Sequence, residues 1–191
     1  DTTTVTVTAV DATGNQSQDT FTVTVSDGTG PTVTTSANKT AEATSANGAA
    51  VDYDAASATD IVDGAFAAGD ISYSHDSGDT FAIGATVVTV SATDNAGNTT
   101  DETFTVTVED SSGPVITTPD NVTEEATAAN GATVDYGAAT AQDAVDGAIA
   151  AGSITYDIAT NTVFAIDTTT VTVTAVDATG NQSQDTFTVT V

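Results

Sequence analysis

The stretch DTTTVTVTAVDATGNQSQDTFTVTV, Asp1–Val25, decides the fold, and it returns letter for letter at Asp167–Val191. Val5 and Val7 alternate with threonines, and so do Phe21, Val23 and Val25. A period of two places every apolar side chain on one face of a strand. Threonine suits the other face, because β-branching favours the extended chain and the hydroxyl tolerates water. Between the two runs lies Asp11-Ala-Thr-Gly-Asn15. There Gly14 permits a positive φ in a tight connection, and Asp11 is placed to bond backbone amides two residues on. The stretch reads as a hairpin with one apolar face.

The two copies are 166 residues apart, which is twice 83. A diverged third copy ends halfway, in Phe104–Val108, and Gly30-Pro31 and Gly113-Pro114 are also 83 residues apart. The chain is therefore an array of an 83-residue unit. Aligned without a gap, residues 31–108 and 114–191 agree at 45 of 78 positions. The expected organisation is the last two strands of a truncated repeat at 1–25 and a linker at 26–30. A complete repeat at 31–110, a linker at 111–113 and a second complete repeat at 114–191 follow. Two strands alone are marginal in water. The N-terminal piece is expected to need a partner: either the front of its own repeat in a longer protein, or a neighbouring copy acting by strand addition.

Inside a unit the alternation continues. Val33 opens it, a short extended stretch follows at 40–44, and Asn47-Gly48 marks a turn. Val51 and Tyr53 oppose Asp52 and Asp54; Ile71 and Tyr73 repeat the pattern. Phe81-Ala-Ile83 leads into Val88, Val90 and Ala92, and Phe104, Val106 and Val108 close the unit. Thr89, Ser91, Thr105 and Thr107 are expected to face water. The alanine-rich pieces at 55–58 and 65–68 are too short for more than one helical turn. About seven short strands at this spacing predict an all-β chain of tandem immunoglobulin-like Greek-key β-sandwiches.

Composition narrows the function. Twenty-seven acidic residues stand against one basic residue, Lys39, for a formal net charge of −26. Nucleic acid and anionic membrane surfaces both require positive charge and are excluded as partners. Cations, a saline medium or a hydrated exterior fit. Cysteine is absent, and with it disulfides and thiolate metal sites. No apolar run approaches the 18 or more residues of a membrane-spanning helix. Asn-x-Ser/Thr triplets occur at Asn15, Asn38, Asn98, Asn121 and Asn181, as they readily do in a threonine-rich chain.

Taken together these marks resemble the hyalin-repeat domain, an immunoglobulin-like module of extracellular and cell-surface proteins. The resemblance runs through Pro114-Val-Ile-Thr-Thr-Pro119, Asn121-Val-Thr, Glu125-Ala-Thr and Asn130-Gly131. It continues through Thr140-Ala-Gln-Asp143, Asp146-Gly147, Phe164-Ala-Ile166, Val171–Asp177, Gly180-Asn181 and Phe187–Val191. The family's common cysteine positions fall on Thr35, Val62, Val90 and Glu102 here, which resembles the cysteine-free prokaryotic type. The resemblance implies adhesion or extracellular architecture and carries no catalytic residue.

Nothing in the sequence assembles an active site. His75 is the single histidine and has Ile158 as its counterpart; one histidine cannot hold zinc. Tyr53, Tyr73, Tyr136 and Tyr156 read as rings closing the sandwich, with glycan stacking as the alternative. Calcium is the one serious ligand. In an immunoglobulin-like sandwich the loop between the last two strands, the loop between the second and third, and the incoming linker meet at one end. That gathers Asp27, Asp60, Asp63 and Asp94 at one junction and Asp110, Asp143, Asp146 and Asp177 at the next. The alternative is that these carboxylates only cap turns. The expected function is an extracellular shaft or filament segment partnered by other copies of the repeat. A multivalent adhesin is the alternative, its glycan or protein ligand lying outside this segment. If the boundaries are right, a polypeptide of residues 31–110 folds alone and residues 1–25 alone do not. Amide dispersion in NMR spectra of the two fragments checks this, and a disordered 31–110 in buffered salt and calcium refutes the boundary.

Overall fold

A computed structural model describes residues 1–191 as an almost all-β chain. β1 (Thr2–Val10) and β2 (Gln16–Thr24) form the leading hairpin. The first repeat carries β3 (Thr32–Thr34), β4 (Lys39–Glu42), β5 (Ala49–Ala50), β6 (Ser57–Asp60), β7 (Gly64–Ala65), β8 (Ile71–Tyr73), β9 (Thr80–Phe81), β10 (Gly84–Thr93) and β11 (Thr99–Glu109). The second repeats the plan with β12 (Val115–Thr117), β13 (Val122–Thr123), β14 (Ala132–Val134), β15 (Thr140–Asp143), β16 (Gly147–Ala148), β17 (Ile154–Tyr156), β18 (Thr162–Phe164), β19 (Thr168–Val176) and β20 (Gln182–Thr190). Each repeat has nine strands rather than about seven. The two further strands lie in or beside the alanine-rich pieces, β6 and β7 in the first repeat and β15 and β16 in the second, and single 3-10 turns follow at Ala68–Asp70 and Ala151–Ser153.

The residues group into two compact units that do not follow the repeat boundaries. One comprises Asp1–Thr35, Ala55–Ser74 and Thr89–Thr103; the other comprises Ser36–Asp54, His75–Val88 and Phe104–Val191.

The second unit holds the whole second repeat. Its largest sheet has the order β13-β20-β19-β17, beside a three-stranded sheet β12-β15-β16 and a pair β14-β18. β19 and β20 pair antiparallel from Thr168↔Thr190 to Val176↔Gln182. β13 adds parallel to β20 through Val122↔Val189, and β17 adds antiparallel to β19 through Tyr156↔Val173. The alternation then produces the core. Val171, Val173, Ala175, Phe187 and Val189 are buried in one cluster with Ala132, Val134, Tyr136, Ala141, Ile154 and Phe164. The Tyr136 ring meets Phe187 edge-on, with centroids 4.9 Å apart, and its hydroxyl donates to the Ile158 carbonyl. The Tyr156 hydroxyl accepts from the Ala139 amide at 2.6 Å. In the same unit Tyr53 lies edge-on to Phe104 at 4.8 Å and donates to the His75 carbonyl. These phenols close the core with their polar ends satisfied.

Asn130-Gly131 makes the turn its sequence promises. Gly131 has φ +117°, and a Cβ there would sit 1.8 Å from the Phe164 carbonyl oxygen; Gly48 is its equivalent at φ +102° against Phe81. Only glycine permits both the conformation and the approach.

In the first unit, β1 and β2 pair from Thr2↔Thr24 to Val10↔Gln16, the same register as β19–β20. The burial is reversed. Phe21 is 53% exposed where Phe187 is 3%, and Val7 is 53% exposed where Val173 is 0%. Identical local sequence makes identical local structure, and only the partner layer differs.

Two expectations need correction. Thr89, Ser91, Thr105 and Thr107 are half-buried rather than facing water, because side chains in the middle of the long strands are shielded by neighbours on their own face. Ile83 and Ile166 are exposed and leave the apolar row.

The two copies of one sequence give a direct test of what burial contributes. Phe187→Ala is expected to destabilise the second repeat by about 3–5 kcal/mol, the usual cost of emptying an aromatic core position. Phe21→Ala is expected to change it by less than about 0.5 kcal/mol, as a surface substitution does. Urea melts of the two variants check this.

Candidate functional site

The loop between the last two strands of each repeat is organised by one aspartate. Asp94 and Asp177 are among the few buried polar residues. Asp177 Oδ1 accepts the amides of Gly180 at 2.6 Å and Asn181 at 2.7 Å, and its Oδ2 accepts Asn181 Nδ2 at 2.8 Å. Asp94 does the same with Asn98 N at 2.7 Å and Nδ2 at 2.8 Å. Burial pushes both carboxyls up, but the hydrogen bonds from the asparagine side chain and the loop amides outweigh it and hold them below the ordinary 3.8. The leading hairpin shows the same loop without a repeat behind it. Asp11 accepts Thr13 and Asn15 side chains and amides and is likewise held far down, by the Thr13 hydroxyl first.

The asparagine that pins this loop also reaches the linker. In the second unit Asn181 Nδ2 donates to the Asp110 carbonyl at 3.1 Å, and Thr179 Oγ1 donates to Asp110 Oδ2 at 3.2 Å. In the first unit Asn98 Nδ2 approaches the carbonyls of Asp27 at 3.5 Å and Thr29 at 3.4 Å. The following linker is held from its other side as well. Glu42 accepts the amides of Ser111 and Ser112 at 3.0 Å and the Ser111 hydroxyl at 2.5 Å. Those bonds, the Ser111 hydroxyl foremost, hold the Glu42 carboxyl below its ordinary 4.5. A linker with this many fixed donors and acceptors has little freedom left.

Around these clamps the aspartates converge. In the first unit, Asp27, Asp60 and Asp63 bring carboxylate oxygens within 4.8 Å of one another; in the second unit, Asp110, Asp146 and Asp177 do so. Asp94 lies outside the first trio and Asp143 outside the second. Asp143 spends Oδ1 on the amides of Val145 at 2.7 Å and Asp146 at 3.0 Å. Asp60 makes the same cap on Val62 and Asp63 and still belongs to its trio. Asp63 also binds Asn95, through its amide at 2.8 Å and its side chain at 2.7 Å, whereas Asp146 receives only the Ala178 amide there.

Two observations bear on a cation. Asp27 Oδ2 is buried and has no hydrogen-bond partner. A buried carboxylate oxygen without a donor is costly, and it sits among two other carboxylates. Asp110 is pushed above 3.8, by burial first, against the Thr179 hydroxyl bond, and then by the charges of Asp143, Asp177 and Asp146. Both describe negative charge gathered without enough positive partner. The donor set is all oxygen, which suits a hard divalent ion such as calcium, with water and backbone carbonyls completing the shell. The single lysine is elsewhere, 3.2 Å from Asp54. His75 is exposed, with its ring 5.6 Å from Phe81.

Sequence reasoning singled out the aspartates and missed the clamps. The Asp-x-x-Gly-Asn pattern was visible, but the pairing of its asparagine with a linker 71 residues away was not. Glu42 gave no signal at all, since its partners lie 69 and 70 residues downstream.

Comparison with known proteins gives a family. The HYR domain matches residues 26–108 and again 109–191. No curated protein matches the chain. Similar solved structures include protocadherin gammaB7 EC3-6 in a cis-dimer structure (13% identity, 100% of this chain and 60% of that one, TM-score 0.37). Protocadherin gamma B2 extracellular cadherin domains 3-6 is another (16% identity, 99% and 56%, TM-score 0.34). A third is mouse cadherin-23 EC22-24 (15% identity, 83% and 65%, TM-score 0.31). The chain spans little more than half the length of the two protocadherin structures.

The clamp makes a pH prediction. Asp177 and Glu42 are depressed, so their contribution to stability is full above their ordinary values of 3.8 and 4.5 and is lost as pH falls through the lower folded values. Asp110 is raised, so it takes its proton first, above 3.8, and that step relieves repulsion. Carboxyl carbon shifts followed by NMR are expected to titrate in the order Asp110, then Asp177. The reverse order refutes the assignment.

Proposed function

The chain belongs to the HYR domain family, and on that footing we propose that it is a structural segment of an extracellular or cell-surface protein. It is a stiffened array of immunoglobulin-like Greek-key repeats serving as a shaft or filament body. The observation that carries this reading is the linker. Glu42 holds Ser111 and Ser112 from one repeat, while Asn181 and Thr179 hold the adjoining Asp110 from the next. Repeats meant to swing independently need free linkers; repeats that project something to a distance need fixed ones. The two repeats share one strand plan and so offer like surfaces, which suits lateral partnering with other copies. The exposed residues include no large aromatic cluster outside the hairpin face, which weighs against an adhesin acting through these repeats.

No helix is long and apolar enough to cross a membrane. The polar groups that converge are carboxylates and their amide donors, an arrangement that suits fixing loops and holding a cation, which supports a structural reading.

Calcium is the resident ion of this reading. Asp27, Asp60 and Asp63 would hold one ion, with Asp94 and Asn98 orienting the loop behind them. Asp110, Asp146 and Asp177 would hold the other, with Asp143 shaping its loop. The ion would supply the positive charge that the linkers lack and convert carboxylate repulsion into attraction. It stabilises the folded state by mass action, roughly 2.7 kcal/mol at a free concentration one hundred times its dissociation constant.

Titration calorimetry of the full chain is expected to show calcium heat that falls by one site in Asp110→Asn. Small-angle scattering is expected to show a narrower range of conformations with calcium than with chelator. Asn181→Ala is expected to widen that range while leaving the second repeat folded. Absence of calcium heat leaves the carboxylates as turn caps and removes the ion. Unchanged scattering in Asn181→Ala removes the fixed linker, and with it the shaft.

A further inference from the structure

Five asparagines stand in Asn-x-Ser/Thr triplets, and the fold divides them into two kinds. Asn98 and Asn181 spend the side-chain nitrogen inside the aspartate loop. Asn98 Nδ2 donates to Asp94 Oδ2 at 2.8 Å; Asn181 Nδ2 donates to Asp177 Oδ2 at 2.8 Å and to the Asp110 carbonyl at 3.1 Å. Both residues are half-buried. Asn15 is exposed but is held in the same way, by Asp11 Oδ2 at 2.8 Å and Thr13 Oγ1 at 2.9 Å.

Asn38 and Asn121 are of the other kind. They are 83 residues apart and hold the same place in the two repeats, immediately before β4 and β13. Asn38 Oδ1 accepts the Thr105 amide at 2.8 Å, and Asn121 Oδ1 accepts the Thr188 amide at 2.8 Å. Those amides fall one residue ahead of the first strand pairs, Lys39↔Val106 and Val122↔Val189, where the neighbouring strand has not yet begun. A strand amide needs an acceptor, and the asparagine supplies it. The bond also fixes which way the side chain faces, since of its two polar atoms only Oδ1 accepts. Nδ2 is turned away and makes no hydrogen bond. Both asparagines are exposed, and so are Thr40 and Thr123, the hydroxyl residues of their triplets.

We propose that Asn38 and Asn121 are acceptor sites for an N-linked sugar, one on each repeat. The proposal rests on the extracellular reading, because the triplet is an acceptor in exported chains. The donor is a sugar esterified at its anomeric carbon to phosphate, carried on a polyprenyl chain or a nucleotide. A bond forms between Nδ2 and the anomeric carbon. The bond from that carbon to the phosphate oxygen breaks, the phosphate leaves with its carrier, and one Nδ2 proton passes to a base of the transferase. The side-chain amide keeps its carbonyl, so the bond from Thr105 or Thr188 survives the modification. At Asn98 and Asn181 the same reaction would take a hydrogen from Nδ2 and set a bulky ring between the loop and its carboxylate. The clamp would be lost with it.

The position gives the sugar a task. β4 and β13 are the outer strands of the sheets β4-β11-β10-β8 and β13-β20-β19-β17. An outer strand offers unpaired backbone groups to any other strand. β4 carries Lys39 and Glu42, whereas β13 is Val122-Thr123 and has no charge. A hydrated sugar beside β13 keeps another copy from pairing along an edge that no charge guards.

The test uses the folded full chain, UDP-glucose and a soluble inverting N-glucosyltransferase, a reaction that needs no export. Mass spectrometry of Asp-N peptides reads the added hexose at each asparagine. Synthetic peptides of the five triplets give the reactivity of each without a fold. Asn38 and Asn121 are expected to react nearly as fast in the folded chain as in their peptides. Asn98 and Asn181 are expected to be slower than theirs by roughly tenfold or more, the factor carried by a hydrogen bond to a charged acceptor. Asp177→Asn is expected to bring Asn181 toward the rate of its peptide. Equal protection of all these sites, or protection of Asn38 and Asn121, overturns the proposal. So does chain recovered from the surface of its own cells with no mass added at either asparagine. Chain recovered only inside the cell refutes the extracellular reading instead, and the two failures are thereby told apart.

Discussion

Burial of one face of a two-stranded hairpin is the interaction on which the rest of this structure depends. Val171, Val173, Ala175, Phe187 and Val189 form the floor of the second repeat, and the short strands are arranged to cover it. The covering strands have two to four residues each and could not persist alone. Each is held by pairing with a long strand or by packing on its apolar row. The leading hairpin is the natural control. It retains the register without the cover, so pairing is local and burial is the tertiary contribution.

The second constraint is charge. A chain with 27 acidic residues and one lysine cannot neutralise itself with ion pairs. It spends carboxylates on backbone amides instead. Asp94, Asp177, Asp60, Asp143 and Glu42 all end as acceptors of loop or linker N–H groups. A carboxylate with several amide donors is stable as an anion and fixes the loop at the same time. The chain thereby obtains order from residues that would otherwise only repel. The supply of amide donors is finite, however, and Asp27 Oδ2 and the raised Asp110 mark where it runs out, at the linkers.

Period-two alternation made the long strands, the Asn-Gly turns and most of the core legible in the sequence. Val88, Val90, Val106 and Val108 lie where alternation puts them. The two-residue strands and single 3-10 turns were not legible, because an alanine-rich segment has no side-chain pattern to read and takes its form from its neighbours. Asp27, Asp60 and Asp63 were grouped from the assumed topology, and the structure does bring them together. Asp94 and Asp143 lie outside the two trios, although they cap turns just as their equivalents Asp177 and Asp60 do inside them. What decides membership is the placement of equivalent carboxylates in the folded chain, of which sequence carries no sign. Glu42 and Asn181 escaped for the same reason: their partners are some seventy residues away, and only the folded chain sets that distance.

Exact repetition carries a consequence for assembly. Diverged repeats keep their interiors private, since a foreign strand fits badly. Here residues 1–25 and 167–191 are identical in sequence and in strand register, so nothing local distinguishes one hairpin from the other. What distinguishes them is connectivity, because Asp167 follows Ile166 without a loop and the resident hairpin is always near. The charge acts in the same direction. At −26 per chain, copies repel at long range, and the repulsion reaches only about 8 Å at 150 mM salt. High salt shortens that reach further, and a divalent cation would act at shorter range still, on the carboxylates that Asp27 and Asp110 bring together with their neighbours.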